Sequence, residues 1–245
     1  MKKNLDFLTS SVIAHRGMHN INKNILENSI EAFRLAIKNN FIIELDLHII
    51  KDGSVVVFHD DNLKRLTGVD KKIKDLNYDE LSRLKLINTE DYIPLFKDVL
   101  KVIDGKVPII IELKSDSKSY LLEKEVLRLL ENYKGIFAIQ SFNPFSIYYI
   151  RKKSPNVIIG QLSSDFRNKK MLKLKKIILK NMLFNYLVKP DFISYDIRSL
   201  PSKRIKKLSR TKLILGWTVK NNKDYIKAKK YCDNFICENI KDYIR

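Results

Sequence analysis

Eight short, apolar, β-branched runs recur along the chain, separated by amphipathic helical stretches, and this alternation limits the fold more than any other feature. The runs fall at residues 11–14, 41–49, 108–113, 136–140, 157–162, 192–195, 212–219 and 234–237. Uninterrupted apolar strands such as Ile109-Ile110-Ile111 are those of a sheet covered on both faces, the pattern of parallel strands with helices between them. Helices are predicted at 29–39, 95–103, 119–132, 143–153, 168–187, 200–208 and 222–231. A shorter one, capped by Asp75 or Asn77, runs to Leu84. Eight alternations in 245 residues predict an α/β fold, a (β/α)8 TIM barrel. An open doubly wound sheet has a similar alternation, but Gly17 stands alone after the first strand where a glycine-rich phosphate loop belongs.

Lys51-Asp52-Gly53-Ser54 is tight-turn chemistry, so residues 55–58 are expected to return antiparallel to the second strand and deliver His59 beside its end. With 7 glycines, 6 prolines and no linker-like segment, the chain reads as one domain over 1–245, with a small insertion at about 60–94 after the second strand.

Chemistry gathers at the strand ends. Glu44 and Asp46 are two residues apart on one strand, and therefore share a face; Glu112 and Lys114 repeat the spacing at the third strand. Buried acids of this kind need cations to neutralise them. His15 and Arg16 end the first strand, Gln140 and Ser141 the fourth, Trp217 the seventh and Glu238 the eighth. In a TIM barrel those ends carry the active site. Glu44, Asp46 and Glu112 form a hard oxygen set suited to a divalent cation, Mg2+ or Ca2+. Arg16 and Lys114 supply positive charge for phosphate oxygens, and His15 and His59 supply two imidazoles for general acid and base work. Phosphodiester hydrolysis needs these parts.

Ala14-His15-Arg16-Gly17, Glu27-Asn28-Ser29, Glu44-Leu45-Asp46, Val57-Phe58-His59-Asp60, Glu112-Leu113-Lys114, Gln140-Ser141-Phe142 and Trp217-Thr218-Val219 resemble, in order, the motifs of the glycerophosphodiester phosphodiesterase family. The resemblance runs from about Val12 to Asn239. It implies a TIM barrel with an insertion after the second strand, a divalent metal on Glu44, Asp46 and Glu112, and His15 and His59 as the acid–base pair. It also implies Arg16 and Lys114 at the phosphate, and hydrolysis of a small glycerophosphodiester to sn-glycerol 3-phosphate and an alcohol. Two places depart from the pattern: Ile25-Leu26 precede the Glu-Asn motif where proline is usual, with Ser29 for threonine, and Cys237-Glu238-Asn239 replaces Thr-Asp-x-Pro. Asn28 reads either as an orienting group or as a helix cap; Phe142 and Trp217 read as pocket lining or as filling for the barrel mouth.

Two other functions stay open at this stage. One is a phospholipase-type lyase in which a substrate hydroxyl attacks to give a cyclic phosphate. The other is a basic protein that binds an anionic polymer through a degenerate site. Lys and Arg outnumber Asp and Glu 47 to 28, a net charge of +19 that favours anionic partners. Arg151 to Lys180 contains ten cations and a single acid, Asp165. That stretch reads as a solvated face or as a contact surface for an anionic membrane or polymer. It lacks the aromatic interleaving of a nucleic-acid reader, so no specific nucleic-acid partner is expected. Cys232 and Cys237 form no disulfide framework or zinc set, and Met1-Lys2-Lys3 is followed by no apolar stretch. A soluble cytoplasmic protein is expected, its oligomeric state left open.

Overall fold

The computed structural model describes residues 3–115, 119–167 and 170–238. Its strands are β1 (Ile13–Ala14), β2 (Ile42–Ile49), β3 (Val55–Val57), β4 (Ile109–Leu113), β5 (Phe137–Ser141), β6 (Ile158–Ser163), β7 (Phe192–Asp196), β8 (Leu213–Val219) and β9 (Asn234–Cys237). They are ordered β1-β9-β8-β7-β6-β5-β4-β2-β3, and a further β1–β2 pairing closes the ring. With helices between its parallel strands, this is the expected (β/α)8 TIM barrel; β3 is the additional antiparallel strand. The chain separates into two compact units, residues 14–137 and the remainder.

In the 14–137 unit, β2 and β4 pair in parallel with Asp46 opposite Glu112. Ser29 caps the helix Ile30–Lys38 by accepting from the Ala32 amide. The hairpin forms as expected, with Leu47 opposite Val57 and Gly53 at φ +83° in the turn. Beyond it, Leu63, Leu66, Ile73, Leu81 and Ile93 close on Val56 and Phe58, giving the 60–94 segment a core of its own. Of the two cap candidates there, Asn77 does the work, in a capping box with Glu80. Its helix ends at Leu81 rather than Leu84, because the chain leaves to pair Lys85 with Tyr92.

In the other unit β5 to β9 run parallel, with a register shift between Gly216 and Val219 where β8 meets β9. Asp191 gathers Arg151 at 2.8 Å, Lys3 at 3.2 Å and the Ile159 amide at 2.8 Å. The expected helix over 168–187 is corrected: it forms two pieces, Lys173–Lys180 and Asn185–Val188, and its expected start at Asn168 lies outside the described residues. The Asn181 side chain takes the Ile177 carbonyl, Met182 turns to φ +49° and becomes buried, and the helix stops. The helix expected from 200 begins at Lys203, because Ser202 caps it through the Ile205 amide. The sequence also predicts a short helical tail to Arg245, which lies outside the described residues. Among the described residues no helix is long and apolar enough to cross a membrane.

Gly17 and Gly53 both hold left-handed backbone, but a Cβ at Gly17 would sit 2.9 Å from the Ala32 carbonyl carbon, whereas one at Gly53 meets nothing within 4 Å. Gly53→Ala should therefore cost only the left-handed term, about 1–2 kcal/mol. Gly17→Ala should cost at least ~1 kcal/mol more from overpacking against backbone. Urea midpoints check the difference; equal losses would contradict it.

Candidate active site

Glu44, Asp46 and Glu112 project from β2 and β4 with 2%, 1% and 8% exposure, and their carboxylate oxygens lie within 4.8 Å of one another. The period of two along β2 and the Asp46–Glu112 register account for that convergence. Three acids in so small a dry volume repel one another. Burial, then the charges of Asp46 and Glu112, push the Glu44 carboxyl well above the ordinary range. Burial also raises Glu112, against the pull of Lys114. Asp46 goes the other way: burial alone would raise it, but Lys114 and Arg16 together hold it below the ordinary range.

The compensating cations are close. Lys114 Nζ donates to Glu112 Oε1 at 2.6 Å and lies 2.9 Å from Asp46 Oδ1. Arg16 Nε is 3.2 Å from Asp46 Oδ2, and the Arg16 amide donates to Glu44 Oε2 at 3.1 Å. Asp46 Oδ1 is at ion-pair distance from Lys114 Nζ, and Arg16 Nε from Asp46 Oδ2, yet neither Asp46 Oδ1 nor Arg16 Nε makes a well-formed hydrogen bond. A buried all-oxygen set that keeps unused acceptor capacity fits a hard divalent cation. Among the described residues this set can hold such an ion without help from sulfur or imidazole.

The turn after β1 aims the cations and their support. Arg16 and Asn28 both adopt positive φ, 55° and 58°, and the Asn28 amide donates to the Arg16 carbonyl at 2.9 Å. Asn28 Nδ2 donates to Asp46 Oδ2 at 2.9 Å. Of its two sequence readings, the orienting one matches this geometry, since the helix cap is Ser29.

His59 follows β3, where the Phe58 amide donates to the Asp46 carbonyl at 3.0 Å. Its Nδ1 lies 2.6 Å from Asp60 Oδ1. Arg65, from the 60–94 segment, binds Asp60 Oδ2 through Nε at 2.6 Å and forks onto both oxygens of Glu27 at 3.0 and 2.6 Å. Arg16 meets the same Glu27 at 2.6 Å, so a continuous chain links Arg16, Glu27, Arg65, Asp60 and His59. Burial lowers the His59 ring below the ordinary histidine range, with Asp46 opposing. His15 directly follows β1, half-buried, near enough for its charge to act on Asp46.

Sequence reasoning passed over Glu27 as a site residue, although it stands in the Glu27-Asn28-Ser29 motif. It missed Arg65 altogether, because nothing local marks it. It also missed His48, whose Nε2 is 3.1 Å from the His59 carbonyl oxygen. Phe142 and Trp217 belong to the other unit, packed edge to face with ring centroids 5.5 Å apart, and Phe142 meets Phe166 at 6.2 Å.

A barrel with three converging acids, two half-buried cations and an imidazole held by a carboxylate has the makings of a phosphoryl-transfer enzyme. Comparison with known proteins makes this specific: the chain belongs to the glycerophosphoryl diester phosphodiesterase family, matched over residues 15–240. YhdW of Bacillus subtilis is 29% identical over 243 residues, 95% of this chain and 96% of that one. A glycerophosphodiester phosphodiesterase of Caldanaerobacter subterraneus is 33% identical over 162 residues, 62% of this chain and 65% of the relative. The human lysophospholipase D GDPD1 is 38% identical over 137 residues, 51% of this chain and 42% of that protein. A glycerophosphodiester phosphodiesterase structure from Thermotoga maritima superposes with TM-score 0.74 at 26% identity, covering 95% and 96% of the two chains. A phosphodiesterase structure from Oleispira antarctica, in complex with the product sn-glycerol 3-phosphate, gives TM-score 0.79 at 19% identity over 94% and 93% and supports the fold.

Because its carboxyl is raised, Glu44 holds a proton at a pH where an ordinary glutamate, near 4.3, is ionised, and a divalent cation must displace it. Mg2+ affinity should therefore weaken as pH falls, beginning above the ordinary glutamate range. Calorimetry in buffers of different ionisation enthalpy should find proton release that Glu44→Gln reduces. A pH-independent affinity would contradict this.

Proposed function

We propose that the protein hydrolyses glycerophosphodiesters to sn-glycerol 3-phosphate and an alcohol, at the site built on Glu44, Asp46 and Glu112. The observation that carries the reading is the convergence of those three buried acids with Arg16, Lys114 and a carboxylate-held His59. Family membership supports the reaction. The three carboxylates would hold Mg2+ or Ca2+, an ion that supplies charge stabilisation at phosphate oxygens and activates water when bound.

Arg16 and Lys114 offer fixed positive charge to the non-bridging oxygens. Asp60 accepts from His59 Nδ1, which leaves Nε2 free to move a proton. Burial favours the neutral ring, suited to take a proton from the attacking oxygen. His15 is the partner that returns one to the leaving alcohol. Arg65 acts through Asp60, fixing the ring rather than touching substrate. Asn28 steadies Asp46.

A second reading within the same chemistry is a lysophospholipid substrate, supported by the likeness to a lysophospholipase D. Attack by a substrate hydroxyl in place of water would give a cyclic phosphate, which phosphorus NMR of the product reveals. The unpaired Cys232 and Cys237, both pushed up to about 12 by burial, support a reducing cytoplasmic setting.

Release of sn-glycerol 3-phosphate from glycerophosphocholine and glycerophosphoethanolamine should require a divalent ion and stop with chelator. His59→Ala should lower kcat by about 10²-fold or more, the usual scale for acid–base catalysis. Arg65→Met should lower kcat by roughly tenfold with KM nearly unchanged, since it removes orientation rather than binding. Chelator-resistant release, or full activity in His59→Ala, would overturn the assignment.

A further inference from the structure

The helix Lys173–Lys180 buries none of its residues, although its sequence is amphipathic. Leu174, Ile177 and Ile178 follow the i, i+3, i+4 spacing of an apolar stripe, and Lys173, Lys176 and Lys180 form the adjoining stripe along its flank. In a globular protein such a stripe faces the core. Here Leu174 is 69% exposed and Ile177 54%, with Leu172 before them at 78%. Past the turn at Met182 the pattern continues, with Tyr186 at 70% exposure. Phe145 on the helix Pro144–Lys153 extends the apolar surface through its ring contact with Phe184 at 5.1 Å. Monomeric soluble proteins rarely display a continuous patch of large aliphatics, and such patches mark an interaction surface.

The charge around the patch identifies the partner. Residues 170–189 contain six lysines and no Asp or Glu. Among the described residues Lys176 bonds only to the Arg167 carbonyl oxygen, 3.2 Å away, and pairs with no acid. Exposed aliphatics bordered by lysines on a short helical segment form the arrangement that lies in the boundary of an anionic bilayer. The leucines and isoleucine enter the acyl region while the lysines meet headgroup phosphates. A nucleic acid would use the lysines but leave the aliphatic stripe in water, because Leu and Ile cannot stack on bases.

We propose that the 172–187 face is a peripheral docking surface for membranes rich in anionic phospholipid. The proposal stands apart from the catalytic assignment, since none of its residues belongs to the carboxylate site.

Sedimentation of the full chain with vesicles tests it. Vesicles of phosphatidylglycerol mixed with phosphatidylcholine should bind the protein at least about tenfold more tightly than pure phosphatidylcholine, and added salt should weaken the binding. Leu174→Asp combined with Ile177→Asp should reduce binding by about tenfold. Because both side chains already face water, the thermal midpoint and turnover of glycerophosphocholine should not change. Absence of binding to the anionic vesicles, or binding indifferent to the double substitution, would overturn the proposal. Equal binding of wild type and double variant, matched by binding to soluble polyphosphate, would mean a purely electrostatic surface and would also overturn it.

Discussion

Three carboxylates brought within 4.8 Å of one another inside a protein are unstable unless charge is supplied, and much of the 14–137 unit can be understood as supplying it. Lys114 divides itself between Glu112 and Asp46, and Arg16 covers the far oxygen of Asp46 while its amide serves Glu44. The compensation is uneven. Asp46, touched by both cations, is held ionised, whereas Glu44 receives one amide and keeps a raised carboxyl. A site poised between neutralisation by its own cations and by an incoming metal ion can assemble without the ion and still retain donor capacity for it.

The same economy of charge reaches the imidazole. Glu27 is shared by Arg16 and Arg65, and Asp60 by Arg65 and His59, so each acid in the chain is satisfied on both sides. Arg65 sits on the short helix Lys64–Thr67, whose Leu66 is locked into the core of the 60–94 segment. That segment therefore helps orient His59, and this gives it a reason to be well packed.

Much of this was legible locally. The period of two in Glu44-Leu45-Asp46 and Glu112-Leu113-Lys114 needs only an extended backbone to place the two charged groups of each on one face. The Asp52-Gly53 turn sets the hairpin, and the strand at Asn234–Cys237 and helix at Asn222–Tyr231 have the expected bounds. The helix expected through Leu187 failed because apolar spacing alone cannot show where a chain must turn to bury a residue such as Met182.

Residue types and their periodicity thus determined the barrel class, the shared face of Glu44 and Asp46 and that of Glu112 and Lys114, and the presence of cations suited to phosphate, while the short motifs carried the resemblance to the family. Those are short-range properties, written within a few residues of one another. The tertiary structure decided which cation meets which oxygen, that Asn28 serves Asp46 while Ser29 caps the helix, and that Arg65 joins Glu27 to Asp60. Arg65 and Glu27 are separated by 38 residues, and nothing local to either specifies the other. Only the packing of the intervening elements brings two such groups to hydrogen-bonding distance, because an ion pair has direction and range but no sequence period.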